Sequence, residues 1–382
     1  MFELTDTQIE IRNVVRRFVD QEVAPRVVEY NRAGALPTDL VDQAVALGLV
    51  GGVVPEEYGG SGLDYVTWAI TIEEVARYCT SLAAVIGYPS SLAGQGLMRW
   101  GTEEQKRRFL QPLARGECTA AVAITEPDAG SDAAAMRSTA RADGNTFVLS
   151  GQKTWVSNAT VCRWMLVFAT VDPALGRQGI TAFLVERETH GLETQPIKHK
   201  LSNRISDTGE IFFNDVRVPA DQMLGEVGQG WPVLLGAVNA GRVHVAARSV
   251  GIAQGSLELS TAYAQQRKTF GREIGRHQLV QRMLVEMALG VETARMAVWR
   301  AADSLDRDRN AGSYWPSVAK LHASRVAMSA SHDAVQIHGA YGLSDEYHVE
   351  RLFREAKMQE IVDGTSEIQQ TIIARHLLAE SR

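Results

Sequence analysis

Cysteine is scarce in this chain. The three present, Cys79, Cys118 and Cys162, are odd in number, far apart, and in no spacing that ligates a metal. That argues against a disulfide framework or a metal centre and leads us to expect a reducing compartment, the cytoplasm. Blocks of like charge are missing too. Thirty-nine Lys and Arg against 45 Asp and Glu give a net charge of −6 with no basic run. Neither nucleic acid nor an anionic membrane is therefore expected as the main partner. No apolar run approaches the roughly 18 residues of a spanning helix, so no membrane insertion is expected. The opening MFELTDTQIEIRNVV is polar and amphipathic, unlike a secretory leader. Internal repeats and low-complexity linkers are likewise lacking. What is there is 382 residues, 45% hydrophobic and 22% charged, an ordinary globular composition with room for two or three domains.

Three textures follow one another. Residues 1–118 read as a helical domain. Thr5 and Gln8 have capping-box spacing, and Ile11, Val14, Val15, Phe18, Val19 and Val23 follow on one face. Further helices are predicted over Leu40–Leu49, Tyr65–Tyr78 and Glu103–Leu113. Residues 119–226 are rich in β-branched and aromatic runs, at Val122–Ile124, Thr146–Leu149, Trp164–Val171, Ile180–Val185 and Glu210–Val218, with a hairpin signal at Asp143-Gly144. They predict an antiparallel β domain, sandwich- or barrel-like. From residue 227 to 382 helix returns, with long patterns over Val243–Gln266, His277–Asp306 and Trp315–Ile337 and a final pair, together a bundle of four or five helices. The expected architecture is a multidomain α–β–α chain.

Two patterns imitate sites. Asp306-Arg307-Asp308-Arg309-Asn310 starts like a calcium loop, but Ala311 and Ser317 stand where glycine and glutamate are needed. Gly225, Gly228 and Gly230 lie in the wrong context for a dinucleotide fingerprint and suit a domain-junction loop.

Other segments have the composition of binding sites. Thr125-Glu126-Pro127-Asp128-Ala129-Gly130-Ser131-Asp132 ends a predicted strand in a turn crowded with donors, suited to a flat, carbonyl-rich ring and a diphosphate. In Gln152–Asn158, period-two alternation points Trp155 and Ser157 the same way. Arg267-Lys268-Thr269-Phe270-Gly271 closes a long helix, where cations are favoured. Near the C-terminus two helical patterns flank Val362-Asp363-Gly364-Thr365-Ser366, in which Gly364 can stop one helix and Thr365 or Ser366 can cap the next. Asp363 would then stand beside free N–H groups.

Taken in order, TEPDAGSD, QKTWVSN, RKTFGREIGRHQ, QIHGAYG and AKMQEIVDGTSEIQ resemble the acyl-CoA dehydrogenase family, and the resemblance covers nearly the whole chain. It implies non-covalent FAD, α,β-dehydrogenation of an acyl thioester, and a homotetramer (or dimer) in which a neighbouring subunit completes each flavin site. Position by position, it places Ile124, Thr125, Ser131, Trp155 and Ser157 against the flavin. Arg267, Thr269, Phe270, Gln278, Gln336, Gly339 and Ala340 would hold the nucleotide end of a neighbour's FAD, and Thr365 and Glu367 would complete the site. Ser131, Asn239, Arg242 and Gly364 would meet the substrate. Asp363 occupies the position of the catalytic base.

Three departures accompany the resemblance: Asp363 where the family usually has glutamate, Gly241 where some members carry the base, and Asn239 where an aspartate is frequent. The α-proton of a thioester is too weakly acidic for an unassisted carboxylate, so hydrogen bonds must stabilise the enolate. The family uses a ribityl hydroxyl and the N–H of the base residue. The expected function is FAD-dependent oxidation of an acyl-CoA, with an electron-transfer flavoprotein as acceptor. Acyl groups on acyl carrier protein are the alternative, and a flavin monooxygenase or a silent flavoprotein scaffold are rivals of another class.

Overall fold

The computed structural model describes residues 3–35, 38–308 and 312–379. The first third is helical: α1 (Asp6–Phe18), α2 (Val27–Ala33), α3 (Thr38–Ala46), α4 (Tyr65–Ala76), α5 (Thr80–Gly87), α6 (Leu92–Trp100), and α7 (Glu103–Gln105) running through a π turn into α8 (Gln111–Ala114). The capping box forms as its spacing predicts, with Thr5 and Gln8 exchanging side-chain and backbone hydrogen bonds. Val15, Phe18, Val19 and Val23 carry the buried face, whereas Val14 turns to solvent.

The middle of the chain holds β1 (Ala120–Ala123), β2 (Thr139–Asp143), β3 (Thr146–Ser157), β4 (Trp164–Thr170), β5 (Ile180–Glu186), β6 (Leu192–Pro196), β7 (Thr208–Pro219) and β8 (Met223–Leu224). The strand order is β6-β7-β3-β2-β4-β5-β8, with β1 beside β4, and among the described residues the path does not close into a barrel. The sheet is mixed rather than purely antiparallel, because β4 pairs in parallel with both β1 and β2. A single pair, Thr139 with Thr170, joins its two halves. Alternate residues of the halves meet across one core: Phe147, Leu149, Ile211 and Phe213 face Met165, Val167, Phe183 and Val185. The other face of β4 and β5, with Trp164, Leu166, Phe168 and Leu184, packs on helical residues such as Leu97 and Phe109. That is why β4 is buried along its whole length and reads as an unbroken apolar run.

Beyond the sheet come α9 (Gly230–Gln266), the short ribbon β9 (Lys268–Thr269) and β10 (Arg272–Glu273), α10 (Gln278–Arg307), α11 (Tyr314–His338), α12 (His348–Gln359) and α13 (Ser366–Ala379). α9 packs against α4, α6, α10, α11 and α12, so its middle third is buried on every side. α13 lies on α11 but buries only Gln369. Its predicted apolar face, Ile368, Ile372, Ile373 and Leu377, is only partly covered.

Arg309, Asn310 and Ala311 of the calcium-loop lookalike lie outside the described residues. Asp306, its first residue, accepts a hydrogen bond from the backbone of Tyr65 at 2.8 Å. Among the described residues no cluster of His, Cys, Asp and Glu is placed to hold a metal, and no helix is long and apolar enough to cross a membrane.

Candidate active site

The turn between α12 and α13 is built from backbone that ordinary residues avoid. Asp363 has φ +53° and Gly364 φ +93°; aspartate tolerates the left-handed region better than most residues. Thr365 caps α13, its hydroxyl accepting from Ile368 N–H at 3.4 Å. Two buried side chains hold the turn from below. Lys320 donates to Gly364 O at 2.9 Å, and Gln369 donates to Asp363 O at 3.1 Å and Gly364 O at 2.8 Å. With the carbonyls engaged, the N–H groups of Asp363, Gly364 and Thr365 have no partner among the described residues. The turn thus presents three free donors and one carboxylate.

The carboxylate leans on α9. A Cβ at Gly241 would lie 2.5 Å from Asp363 Oδ2 and 3.0 Å from Leu92 Cδ2. The bare glycine makes room for Asp363 itself, rather than leaving an opposite wall free for substrate. Burial raises the Asp363 carboxyl above its ordinary range, opposed by Lys320, then Arg248 and Arg242. Asp363 keeps some surface open to the cleft, but the protein surrounds it closely enough for lost hydration to dominate. Burial in turn pulls Lys320 down to about 8 and Arg242 to about 10, with Asp363 favouring the charged form of each. Arg242 donates to Asn239 Oδ1 at 2.8 Å. The amide supplies an acceptor without charge, so Asp363 is the acid that offsets Arg242.

The facing wall comes from α5 and β3. Burial pushes the Tyr88 hydroxyl up to about 12, opposed by the nearby Ser157 side chain. Trp155 lies in a bulge of β3, at φ +57°, where the register with β7 shifts. Val156 turns into the core while Trp155, 62% exposed, and Ser157 stay outside.

Next to it, Thr154 N–H donates to Thr125 O at 2.9 Å. Lys153 spans the gap between β1 and β3, donating to Ile124 O at 3.0 Å and to Glu126 Oε1 at 2.7 Å. Glu126 also accepts from the N–H groups of Arg137 and Ser138 at 2.6 and 3.0 Å. Burial would raise the Glu126 carboxyl, but Lys153 and these donors hold it below the usual range. Burial lowers Lys153 to about 8, which leaves the pair ionised at neutral pH. Ile124 and Thr125 are half-buried beside this clamp, and Ser131 is exposed in the turn after it.

The remaining predicted residues gather elsewhere, at the end of the bundle where α9 stops, α10 starts and α11 stops. Arg267 lies over the Tyr341 ring at 5.6 Å, and Thr269 shares a 3.3 Å hydrogen bond with His277. Phe270, at φ +51°, is 97% exposed. Gln278, Gln336, Gly339 and Ala340 are exposed around them. Among the described residues no hydrogen bond, ion pair or ring contact joins this group to the cleft. Thr365 and Glu367 belong with Asp363; Asn239, Arg242 and Gly364 do too.

Sequence reasoning missed Tyr88, Lys320, Gln369 and the Glu126–Lys153 pair. Glu126 and Lys153 stood inside quoted motifs, but nothing local marks a buried ion pair 27 residues apart in the chain.

Models of the acyl-CoA dehydrogenase N-terminal, middle and C-terminal domains match residues 5–117, 121–216 and 228–378. A probable acyl-CoA dehydrogenase of Bacillus subtilis, YngJ, is 40% identical over 378 residues, 99% of each chain. Butyryl-CoA dehydrogenase from Megasphaera elsdenii superposes with a TM-score of 0.96 at 35% identity, over 99% of this chain and 100% of that one. The prolyl acyl carrier protein oxidase AnaB superposes with a TM-score of 0.94 at 32% identity, over 98% and 100%.

Proposed function

Since this chain belongs to the acyl-CoA dehydrogenase family, we propose that it oxidises an acyl-CoA between its α and β carbons, with Asp363 as the base. The carrying observation is the turn at 363–365, where a carboxylate of raised pKa stands beside three unpaired N–H donors. A base tuned upward toward the working pH suits abstraction of a weakly acidic proton. Donors beside it suit the oxygen on which negative charge develops as that proton leaves.

FAD is the family's cofactor, and the residues here suit it. The exposed Trp155 ring offers a plane, Thr125 and Ser157 offer hydroxyls, and Gly130 faces open space. With Ile124 and Ser131 they would hold the ring system, and FAD, when bound, supplies the acceptor for the β-hydride. The chain's own work is positional. Lys320 and Gln369 hold the turn by its carbonyls, Gly241 lets the carboxylate close on α9, and Asp363 Oδ receives the α-proton. Arg242, with Asn239 as its neutral acceptor, faces the substrate's thioester handle beside Gly364.

The exposed group at Arg267, Thr269, Phe270, Gln278, Gln336, Gly339 and Ala340 would reach the nucleotide end of FAD on a neighbouring copy, with Thr365 and Glu367 completing the site. A homotetramer follows, working in the cytoplasm and passing electrons to an electron-transfer flavoprotein. Asn239 and the likeness to AnaB favour one second reading, an acyl group carried on acyl carrier protein. Anaerobic addition of an acyl-CoA panel tests the main reading: flavin bleaching is expected with at least one member. Comparing kcat/KM for one acyl group on CoA and on a carrier protein decides the handle, and a strong carrier preference would transfer the assignment.

A further inference from the structure

Deep on α9, Arg248 is only 4% exposed and makes no hydrogen bond among the described residues; its Nε and Nη2 are buried without a partner there. An arginine in that state is costly, because the three donors on Nε and Nη2 have left water and nothing accepts them. Among the described residues no acid forms an ion pair with it. Glu355 is the leading negative charge in its surroundings, but both oxygens of Glu355 are engaged elsewhere, one by Thr80 Oγ1 at 2.7 Å and the other by Asn203 N–H at 3.0 Å. Asp363 and Tyr88 come next, and both belong to the cleft.

Position agrees with charge. Seven residues separate Arg248 from Gly241, two helical turns, so the two share a face of α9 about 10 Å apart. At Gly241 that face meets the Asp363 carboxylate. Between them His244 is fixed against Ala83 O at 3.0 Å, and burial holds its pKa near 3, so it is neutral. Arg248 is therefore a buried cation on the face of α9 that meets the base, close enough for the two charges to influence each other.

We propose that Arg248 is a recognition site for a carboxylate at the far end of the acyl group, so that the preferred substrate is the monothioester of a short dicarboxylic acid. The guanidinium fork matches a carboxylate in two-point geometry, and a buried cation discriminates strongly against an end group that leaves it unpaired. The Tyr88 hydroxyl, neutral at physiological pH, backs the same end of the cleft. The inference rests on the acyl-CoA reading, and its test is arranged to fail separately from it.

Matched pairs of four, five and six carbons are compared, each an acyl-CoA ending in methyl or in carboxylate. Flavin reduction is measured in the wild-type holoenzyme, and Kd in Asp363→Asn holoenzyme. We expect the carboxylate-ended member to be favoured at least tenfold at one length in both measurements. Arg248→Met, which fills similar volume without charge, should abolish that ratio while keeping FAD and thermal stability. If the methyl-ended member binds more tightly at every length, or if Arg248→Met leaves the ratio unchanged, the assignment is wrong. Unfolding of Arg248→Met with the ratio preserved in Arg248→Gln would also overturn it, as a structural role. Bleaching by none of the six, with the Kd ratio intact, would defeat the dehydrogenase reading and leave the carboxylate site standing.

Discussion

A carboxylate one methylene shorter than glutamate reaches about 1 Å less, a displacement that can cost roughly a hundredfold in rate. The chain meets this by geometry at two residues. Asp363 occupies a left-handed conformation, and Gly241 omits the one carbon that would stand 2.5 Å from its Oδ2. Gly241→Ala should therefore retain FAD yet slow flavin reduction on the order of a hundredfold; an unchanged rate would show that the carboxylate does not work from this position. Asp363→Asn should keep FAD and lower anaerobic reduction by about 10²–10⁴-fold. The pH profile adds a signed test. Because burial raises the Asp363 pKa, the acid limb of kcat/KM should lie above the ordinary aspartate value of about 3.9. Lys320 is the largest influence holding it down, so Lys320→Gln should move that limb to higher pH. A shift to lower pH would place another group in the limb.

At the scale of elements, the cleft depends on β1 and β3 being tied together ahead of any ligand. Lys153 and Glu126 do this inside the sheet, at 0% and 6% side-chain exposure. Breaking such a pair leaves a buried charge unpaired and typically costs about 3–5 kcal/mol. Glu126→Gln should lower the unfolding free energy by about that much and weaken FAD retention; loss of stability with full FAD affinity would separate the clamp from the site. The sign with pH also follows. The Glu126 pKa is depressed, so its contribution is present above the ordinary glutamate value and is lost as pH falls through the folded one. The strands and helices themselves were legible, because apolar runs at Trp164–Val171 and capping spacing at Thr5 and Gln8 are local signals. The parallel pairing of β4 with β1 and β2 was not, since it joins segments far apart in the chain. The bulge at Trp155 was equally hidden, because the expected alternation carries no mark of an inserted positive φ. The cleft's carboxylate could be found from its motif, whereas Tyr88, Arg248 and Lys320 sit in helical patterns indistinguishable from core or solvated faces until α5, α9 and α11 are packed.

For the whole molecule, the surface of one chain is informative in what it fails to cover. Val285, Leu289 and Met296 fall on one face of α10 at steps of four and seven, and are 56%, 63% and 44% exposed. Leu377 and Leu378 of α13 are exposed as well, and the Phe270 ring is almost wholly in solvent. Apolar residues aligned this way mark an interaction surface rather than scattered exposure. They lie on the same bundle that carries Arg267 and Gln278, the residues proposed to reach a neighbour's FAD. Assembly and cofactor retention should therefore be one equilibrium, because cofactor that bridges two copies stabilises their association and dissociation exposes it. Leu289→Arg would place an unpaired charge in an apolar contact, a penalty of several kcal/mol, which is three or more powers of ten in association. Arg267→Ala leaves the α10 face intact and removes the proposed nucleotide contact together with the cation–π contact to Tyr341. Light scattering with flavin absorbance should show Leu289→Arg losing its oligomer and its FAD together. Arg267→Ala should lose FAD first, with the oligomer weakening as the apoprotein accumulates. A stable monomer holding one FAD per chain in either variant would mean that each chain completes its own site and that the exposed stripe serves something else.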